Sequence, residues 1–183
     1  MMRQLKLQMH LTLDGFAATT KSGPVNDIYW DEEIRDYCLA NLENVDLLLL
    51  GHTTAKDFIP YWAGVAEKPE DPQYEIGKRL TEIPKLVFSK KTAKSRWPNA
   101  TVANDLTVIN RLKREKGKAM LVYGGVGFVT CLISEQLIDE YNFLLEPVGL
   151  GKGMPIFRKR TDLKLVKTTP FSSGLVVLQY QPK

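Results

Sequence analysis

The chain is predicted to fold as an α/β domain, with a mixed, mostly parallel sheet flanked by helices and a C-terminal antiparallel hairpin. Three features lead there. Short apolar runs alternate with amphipathic stretches through most of the 183 residues, the pattern of successive strand–helix units. Two of those runs, DLLLLGHTT and AMLVYGGVGF, stop at glycine and pass directly into a helix start. The final stretch, LKLVKTTPFSSGLVVLQYQP, changes to two strand-like runs around a turn at Ser172–Gly174. No repeat, low-complexity tract or linker divides the chain, so residues 1–183 read as one domain.

The elements follow in order. QLKLQMHLT (Gln4 to Thr12) sets Leu5, Leu7, Met9 and Leu11 on one face and Gln4, Lys6, Gln8 and His10 on the other, a half-exposed strand. DGFAATTKSGP is a loop rich in Gly, Thr and Ser. In DEEIRDYCLANLENV (Asp31 to Val45), Ile34, Cys38, Leu42 and Val45 recur at helical spacing. Acidic residues crowd its first turn, where the helix dipole favours them. Leu47 to Leu50 is a wholly apolar strand stopped by Gly51, with a small polar helix start behind it. IPYWAGVAEKPEDPQ has prolines and no period and reads as loop. YEIGKRLTEI is a short helix, KLVFSKK (Lys85 to Lys91) a buried strand, ATVAN a short strand, and LTVINRLKREKG a helix closed by Gly117. AMLVYGG and the amphipathic VTCLISEQLIDE follow, then DEYNFLLEPVGLGKG, a strand entering a glycine-rich loop. The hairpin ends in the apolar run Leu175 to Leu178, expected at the edge of the sheet.

Composition removes several classes of function. A net charge of +4 leaves nucleic acid open, but the densest basic stretches, SKKTAKSR and FRKR, lack interleaved aromatics, so no nucleic-acid partner is expected. No apolar run approaches the roughly 18–20 residues that cross a bilayer. The N-terminus alternates apolar and polar residues and carries no signal-peptide core, so a cytoplasmic protein is expected. Cys38 and Cys131 are far apart and read as buried thiols in a reducing compartment. With only two histidines, His10 and His52, no metal site is expected.

In parallel α/β sheets ligands collect beyond the carboxyl ends of the strands. Three such ends carry suggestive residues: Gly51-His52-Thr53-Thr54, Ser89-Lys90-Lys91, and Gly124-Gly125-Val126-Gly127. Amide groups at a helix N-terminus satisfy phosphate oxygens, and glycine removes the Cβ that would block their approach. Thr53 and Thr54 add hydroxyls. Lys90 and Lys91, or His52, suit a further phosphate such as the one on the ribose of NADP. The competing reading of Gly124-Gly125 is a tight packing turn. A Rossmann domain is disfavoured, because Thr130 stands where the third glycine belongs and no acidic residue follows at the required spacing. Asp14-Gly15 is either a turn or the seat of a catalytic carboxylate. Trp30, Tyr61 and Trp62 are candidates to stack on a planar ring.

The segments LTLDGFAA, LLLLGHTTAKDF, KLVFSKK, LVYGGVGFVTCLISEQLIDEYNFLLEPVGLGKGMPIF and FSSGLVVLQYQP occur in this order across essentially the whole chain. Together they resemble the dihydrofolate reductase-like superfamily. More closely, they resemble its branch holding the reductase domain of bacterial riboflavin-biosynthesis enzymes and free-standing relatives. The resemblance implies an NADPH-dependent reductase. It implies that Gly51 to Thr54 and Gly124-Gly125 hold the cofactor's diphosphate, that Ser89 and Lys90 lie by the 2′-phosphate, and that the Leu13 to Ala18 loop closes over the nicotinamide. The cofactor set expected is thus Ala17, Gly51, His52, Thr53, Thr54, Ser89, Lys90, Lys91, Tyr123, Gly124, Gly125, Val126, Gly127 and Phe128.

Departures from the family pattern fall mainly on the substrate. Arg35 stands near the position of the folate enzymes' pteridine-binding carboxylate, which argues against a pteridine. Tyr123 replaces a common Glu, and His52 a typical Arg. Trp30, Arg35 and Tyr61 are the expected substrate contacts, with catalytic proton delivery expected from water or an acid such as Asp14. The expected reaction is of the 5-amino-6-(5-phosphoribosylamino)uracil reductase type. The alternatives are dihydrofolate reductase-type activity, or a catalytically silent NADPH-binding protein. A homodimer is expected, from the resemblance and from the apolar Leu175 to Leu178 run at the presumed edge.

Overall fold

The computed structural model describes residues 3–18, 30–91 and 94–183; most of the loop expected after the first strand lies outside them. The elements in chain order are β1 (Leu5–Thr12), β2 (Phe16–Ala18), α1 (Glu32–Glu43), β3 (Val45–Gly51), α2 (His52–Val65), α3 (Tyr74–Glu82), β4 (Lys85–Phe88), β5 (Ala100–Ala103), α4 (Thr107–Arg114), β6 (Ala119–Val122), α5 (Val126–Ser134), β7 (Glu140–Glu146), β8 (Met154–Pro155), β9 (Leu163–Pro170) and β10 (Val176–Pro182). Eight strands form one sheet in the order β5-β4-β3-β6-β1-β7-β10-β9. β1 runs parallel to β6 and β7, β3 to β4 and β6, and β4 to β5, while β10 is antiparallel to β7 and β9. The expected α/β architecture with a closing hairpin is the observed one. No helix among the described residues is long and apolar enough to cross a membrane.

Two layers of helix bury the two faces. On one face Leu5, Leu7 and Met9 of β1 join Ile109 of α4 and Val129, Leu132 and Ile133 of α5 in one core cluster. On the other, Ile34, Cys38 and Leu42 of α1 and Ile76 and Leu80 of α3 meet Leu48, Leu121 and Leu144. α1 begins at a true cap: the Asp31 carboxylate accepts the Ile34 amide at 2.9 Å, and Glu32 and Glu33 occupy the first turn. That bond satisfies one of the amides a helix start leaves unpaired.

Several expectations give way here. β1 is not half-exposed. It is an interior strand, and Gln8 is buried at 2% exposure, held by Asn41 of α1 at 2.5 Å. The polar face is covered, so its polar groups pair with α1 and β7 rather than with water. α2 continues through IPYWAGV, expected as loop, with Pro60 inside it. Ala55 and Ile59 supply a buried apolar face, and Pro60 lies on the exposed side, so packing outweighs the lost backbone bond. α4 ends at Arg114, short of Gly117; a Cβ at Gly117 would sit 2.8 Å from both Arg3 and Asp46, which form an ion pair there. Cys131 is exposed, whereas Cys38 is buried and its thiol pushed up to about 12 by that burial.

The run Leu175 to Leu178 is not an edge. β10 lies between β7 and β9, and Leu175 and Val177 are 0% and 2% exposed. The outer strand is β9, where Leu165 and Val166 are each 49% exposed.

Candidate functional site

At the carboxyl ends of β1, β3, β4 and β6 the described residues enclose a cleft of ≈ 1140 Å³. Ligand pockets commonly measure about 300–1,000 Å³, so there is room for a large ligand or two. One half of the cleft is built from backbone. Gly51 caps α2 and Gly125 caps α5, and neither helix start receives a side-chain capping bond. Gly124 and Gly125 both have positive φ, +127° and +75°. A Cβ on Gly125 would lie 2.3 Å from Thr54 Oγ1. The two helix N-termini therefore abut, with the Thr54 hydroxyl against the Gly125 backbone. Two uncapped helix starts facing one space make a seat for anionic oxygens.

Gly51, His52, Thr53, Thr54, Gly125, Val126, Gly127 and Phe128 all line the cleft, as do Ser89, Lys90 and Lys91. The three strand ends read from the sequence converge. Phe88 and Phe128 stack with centroids 5.0 Å apart between the second and third of them. Ser89 is buried, and its Oγ accepts the Lys91 amide at 3.2 Å, which turns the chain so that Lys90 and Lys91 stand exposed at the rim. His52 Nδ1 is buried with no hydrogen-bond partner within the described structure, and its ring lies 5.8 Å from Trp97. A buried polar atom left so costs about 1–3 kcal/mol, the mark of a site shaped for something else to fill.

The other half is built from side chains. Tyr123 follows β6, and its ring lies 5.7 Å from Phe58, which lies 6.1 Å from Trp62; Tyr61 is 5.0 Å from Trp62. Burial pushes the Tyr123 phenol well above its ordinary range, so it stays neutral. Met9 and His10, at the end of β1, complete this wall. His10 Nδ1 lies 2.5 Å from Oε1 of Glu146, which is fully buried on β7. Ala17 and Met154 come to the rim from β2 and β8, which pair with each other.

Asp14, Trp30 and Arg35 are not brought to the cleft. The Asp14 carboxylate accepts the Thr12 hydroxyl at 2.5 Å, the Leu150 amide at 2.9 Å and the Gly151 amide at 2.6 Å. Those bonds, the hydroxyl first, hold its carboxyl below the usual carboxylate value. A carboxylate kept ionised clasps two loops together and has no proton to give. Trp30 packs against the α1 cluster. Arg35 is held at 2.9 Å by both Glu32 and Asp36 of its own helix, and these carboxylates raise its already high value. Gly124 is buried beside the cleft rather than lining it.

Sequence reasoning missed Met9, His10, Phe58, Phe88, Cys131 and Met154. Phe58 and Trp62 were legible as an i, i+4 pair had α2 been carried past Pro60. Nothing local announces the pairing of His10 with Glu146, because it is made by the alignment of β1 and β7.

The chain matches the RibD C-terminal domain over residues 3–177. It is 36% identical over 191 aligned positions to the uncharacterized protein YyaP of Bacillus subtilis, covering 97% of this chain and 94% of that one. A protein of Shewanella sp. PV-4 named for riboflavin biosynthesis superposes with a TM-score of 0.69 at 18% identity, over 98% of this chain and 99% of the other. The Thermotoga maritima diaminohydroxyphosphoribosylaminopyrimidine deaminase/5-amino-6-(5-phosphoribosylamino)uracil reductase gives 0.68 at 15% identity; all of this chain spans 57% of that one. Enterococcus faecalis dihydrofolate reductase, complexed with NADP(H), gives 0.63 at 12%, over 98% and 96%. At such identities the structures share the fold. The chain belongs to the RibD C-terminal domain family.

Proposed function

We propose that this family member is an NADPH-dependent reductase acting on a small polar substrate, of the 5-amino-6-(5-phosphoribosylamino)uracil reductase type. The observation that carries the reading is the abutment of two uncapped helix N-termini, at Gly51 and Gly125, beside an aromatic pocket in one cleft. The residues present fit the cofactor. A Cβ would fill the cradle at Gly125, and the orphaned His52 Nδ1 lies in the same cleft as Lys90 and Lys91, as a 2′-phosphate site requires.

Bound NADPH supplies hydride. The chain's own work is to hold and orient. Amides of the first turns of α2 and α5, with Thr53 and Thr54, would hold the diphosphate; Lys90, Lys91 and His52 would meet the 2′-phosphate. Ala17 and Met154 at the rim exclude water from the reacting centre. Phe58, Tyr61, Trp62 and Tyr123 give a planar substrate an aromatic wall. The α1 carboxylates near Arg35 are absent from the lining, which favours an aminouracil over a pteridine.

Fluorescence titration with NADPH, followed by NADPH oxidation with 5-amino-6-(5-phosphoribosylamino)uracil and with dihydrofolate, tests the reading. Saturable binding and turnover of the aminouracil are expected. Turnover of dihydrofolate alone would reassign the substrate, binding without turnover would leave a silent nucleotide-binding protein, and absence of binding would end the proposal. A homodimer is proposed through the β9 edge, where Leu165 and Val166 stand half-exposed. Light scattering should give twice 20.7 kDa, and Val166→Lys should shift it toward the single-chain mass.

A further inference from the structure

Hydride delivery to a C=N or C=O carbon leaves the neighbouring nitrogen or oxygen in need of a proton. On the substrate half the candidates are few. Asp14, the expected donor, is committed to the Leu150 and Gly151 amides. Burial keeps the Tyr123 phenol neutral, and its ring packs 5.7 Å from Phe58. Asp57 and Lys56 also line the cleft, exposed on α2. His10 is set apart by its buried carboxylate partner, at the end of β1 and on the sheet face that carries Gln8 toward α1.

Resting on the reductase reading above, we propose that His10 and Glu146 form the proton-delivering pair of this site, His10 as the catalytic acid and Glu146 as the positioning residue behind it. Glu146 engages Nδ1 at 2.5 Å from a fully buried position, so Nε2 is the ring nitrogen left for the cleft that His10 lines. The strands enforce this. β1 and β7 are parallel neighbours with His10 opposite Leu144 and Thr12 opposite Glu146, which sets the carboxylate diagonally behind the imidazole. A carboxylate on one ring nitrogen fixes the orientation of the ring and the role of the other nitrogen, the general logic of an acid–base histidine. As hydride forms the new C–H bond, the substrate's C=N or C=O π bond breaks and its electron pair takes the proton from Nε2. NADPH would supply the hydride with its electron pair, leaving the oxidised cofactor as a cation; His10 is left neutral, and solvent returns its proton.

The bland role for such a pair is to tie two strands, and buried ion pairs contribute little net stability. The two roles separate in His10→Ala, with His10→Asn as a second variant and circular dichroism to confirm folding. The measurements are NADPH affinity, and kcat and KM with 5-amino-6-(5-phosphoribosylamino)uracil and with dihydrofolate. The donor role requires unchanged NADPH affinity, a kcat lower by about 100- to 10,000-fold, and partial recovery of the Ala variant in free imidazole. Glu146→Gln should lower kcat with His10 still in place. A kcat unchanged in His10→Ala, or lowered without imidazole rescue, assigns the pair to packing and overturns the proposal while the reductase reading stands. If the unmodified protein binds NADPH but oxidises it with neither compound, the reductase reading fails and takes the donor role with it.

Discussion

The two halves of the cleft are made of different material. The half at Gly51, Gly124 and Gly125 is backbone: helix starts, positive φ and a missing Cβ. Its parts are contiguous in the chain, each a strand, a glycine and a helix in immediate succession. The half at His10, Phe58 and Tyr123 is side chains from distant parts of the chain, and Glu146, behind His10, is 136 positions from it. Backbone recognition depends on a conformation that few residues allow, so it tolerates little variation. Side-chain recognition changes with any substitution on the pocket wall. A fold can therefore keep one backbone seat while the pocket wall varies, and the departure at Tyr123, which lines the cleft, fits that division.

The sharpest way to break the comparison is Gly125→Val. Left-handed backbone costs a branched residue about 1–2 kcal/mol, and forcing a side chain against Thr54 about 1–3 more. NADPH binding should weaken by about thirtyfold or more in titrations, with circular dichroism unchanged. Gly124→Val should do less, since a Cβ there meets only Met9 Cε, at 3.6 Å. Next comes the double variant Lys90→Ala with Lys91→Ala. A charge-assisted hydrogen bond is worth about 1.5–3 kcal/mol, so the preference for NADPH over NADH should fall roughly tenfold or more in competition titrations.

On the other half, Tyr61→Ala removes an exposed ring from the wall. Aromatic contacts of this kind are worth about 0.5–1.5 kcal/mol, so KM for the aminouracil should rise by roughly two- to tenfold, with the NADPH dissociation constant unmoved. Equal losses in both measurements would abolish the division between halves. The smallest effect is expected at the clasp. Asp14→Asn should weaken NADPH binding a few-fold by loosening the loop that carries Ala17. Because the folded carboxyl titrates below its ordinary 3.8, the clasp's contribution is complete above that value and is lost as pH falls through the folded one. Acid unfolding of Asp14→Asn should accordingly depend less on pH in that range than unfolding of the parent.

How much was legible follows the same line. The glycine stops after LLLL and after LVY, and the acidic start of α1, were readable because turn geometry and helix capping are local. Pro60 misled, since a proline's local penalty was set against an apolar face whose partner, the sheet, is distant in sequence. The run Leu175 to Leu178 misled in the same way: strand propensity shows that a segment pairs, and only the completed order β7-β10-β9 shows that it pairs on both sides. Gln8 looked like a solvent residue because period two distinguishes the faces of a strand without saying what covers them.

By itself the sequence determined the strand–helix alternation, the sites where glycine must stand, and which three strand ends carry the residues that later line one cleft. These depend on backbone conformation and short-range periodicity. The tertiary structure alone decided which side chains meet across that cleft. His10 became the partner of a buried carboxylate, and Asp14 a clasp between loops, because β1 settled between β6 and β7 in one register. Burial, and with it the charge and hydrogen bonding of each polar group, is a property of that arrangement and of no residue taken singly.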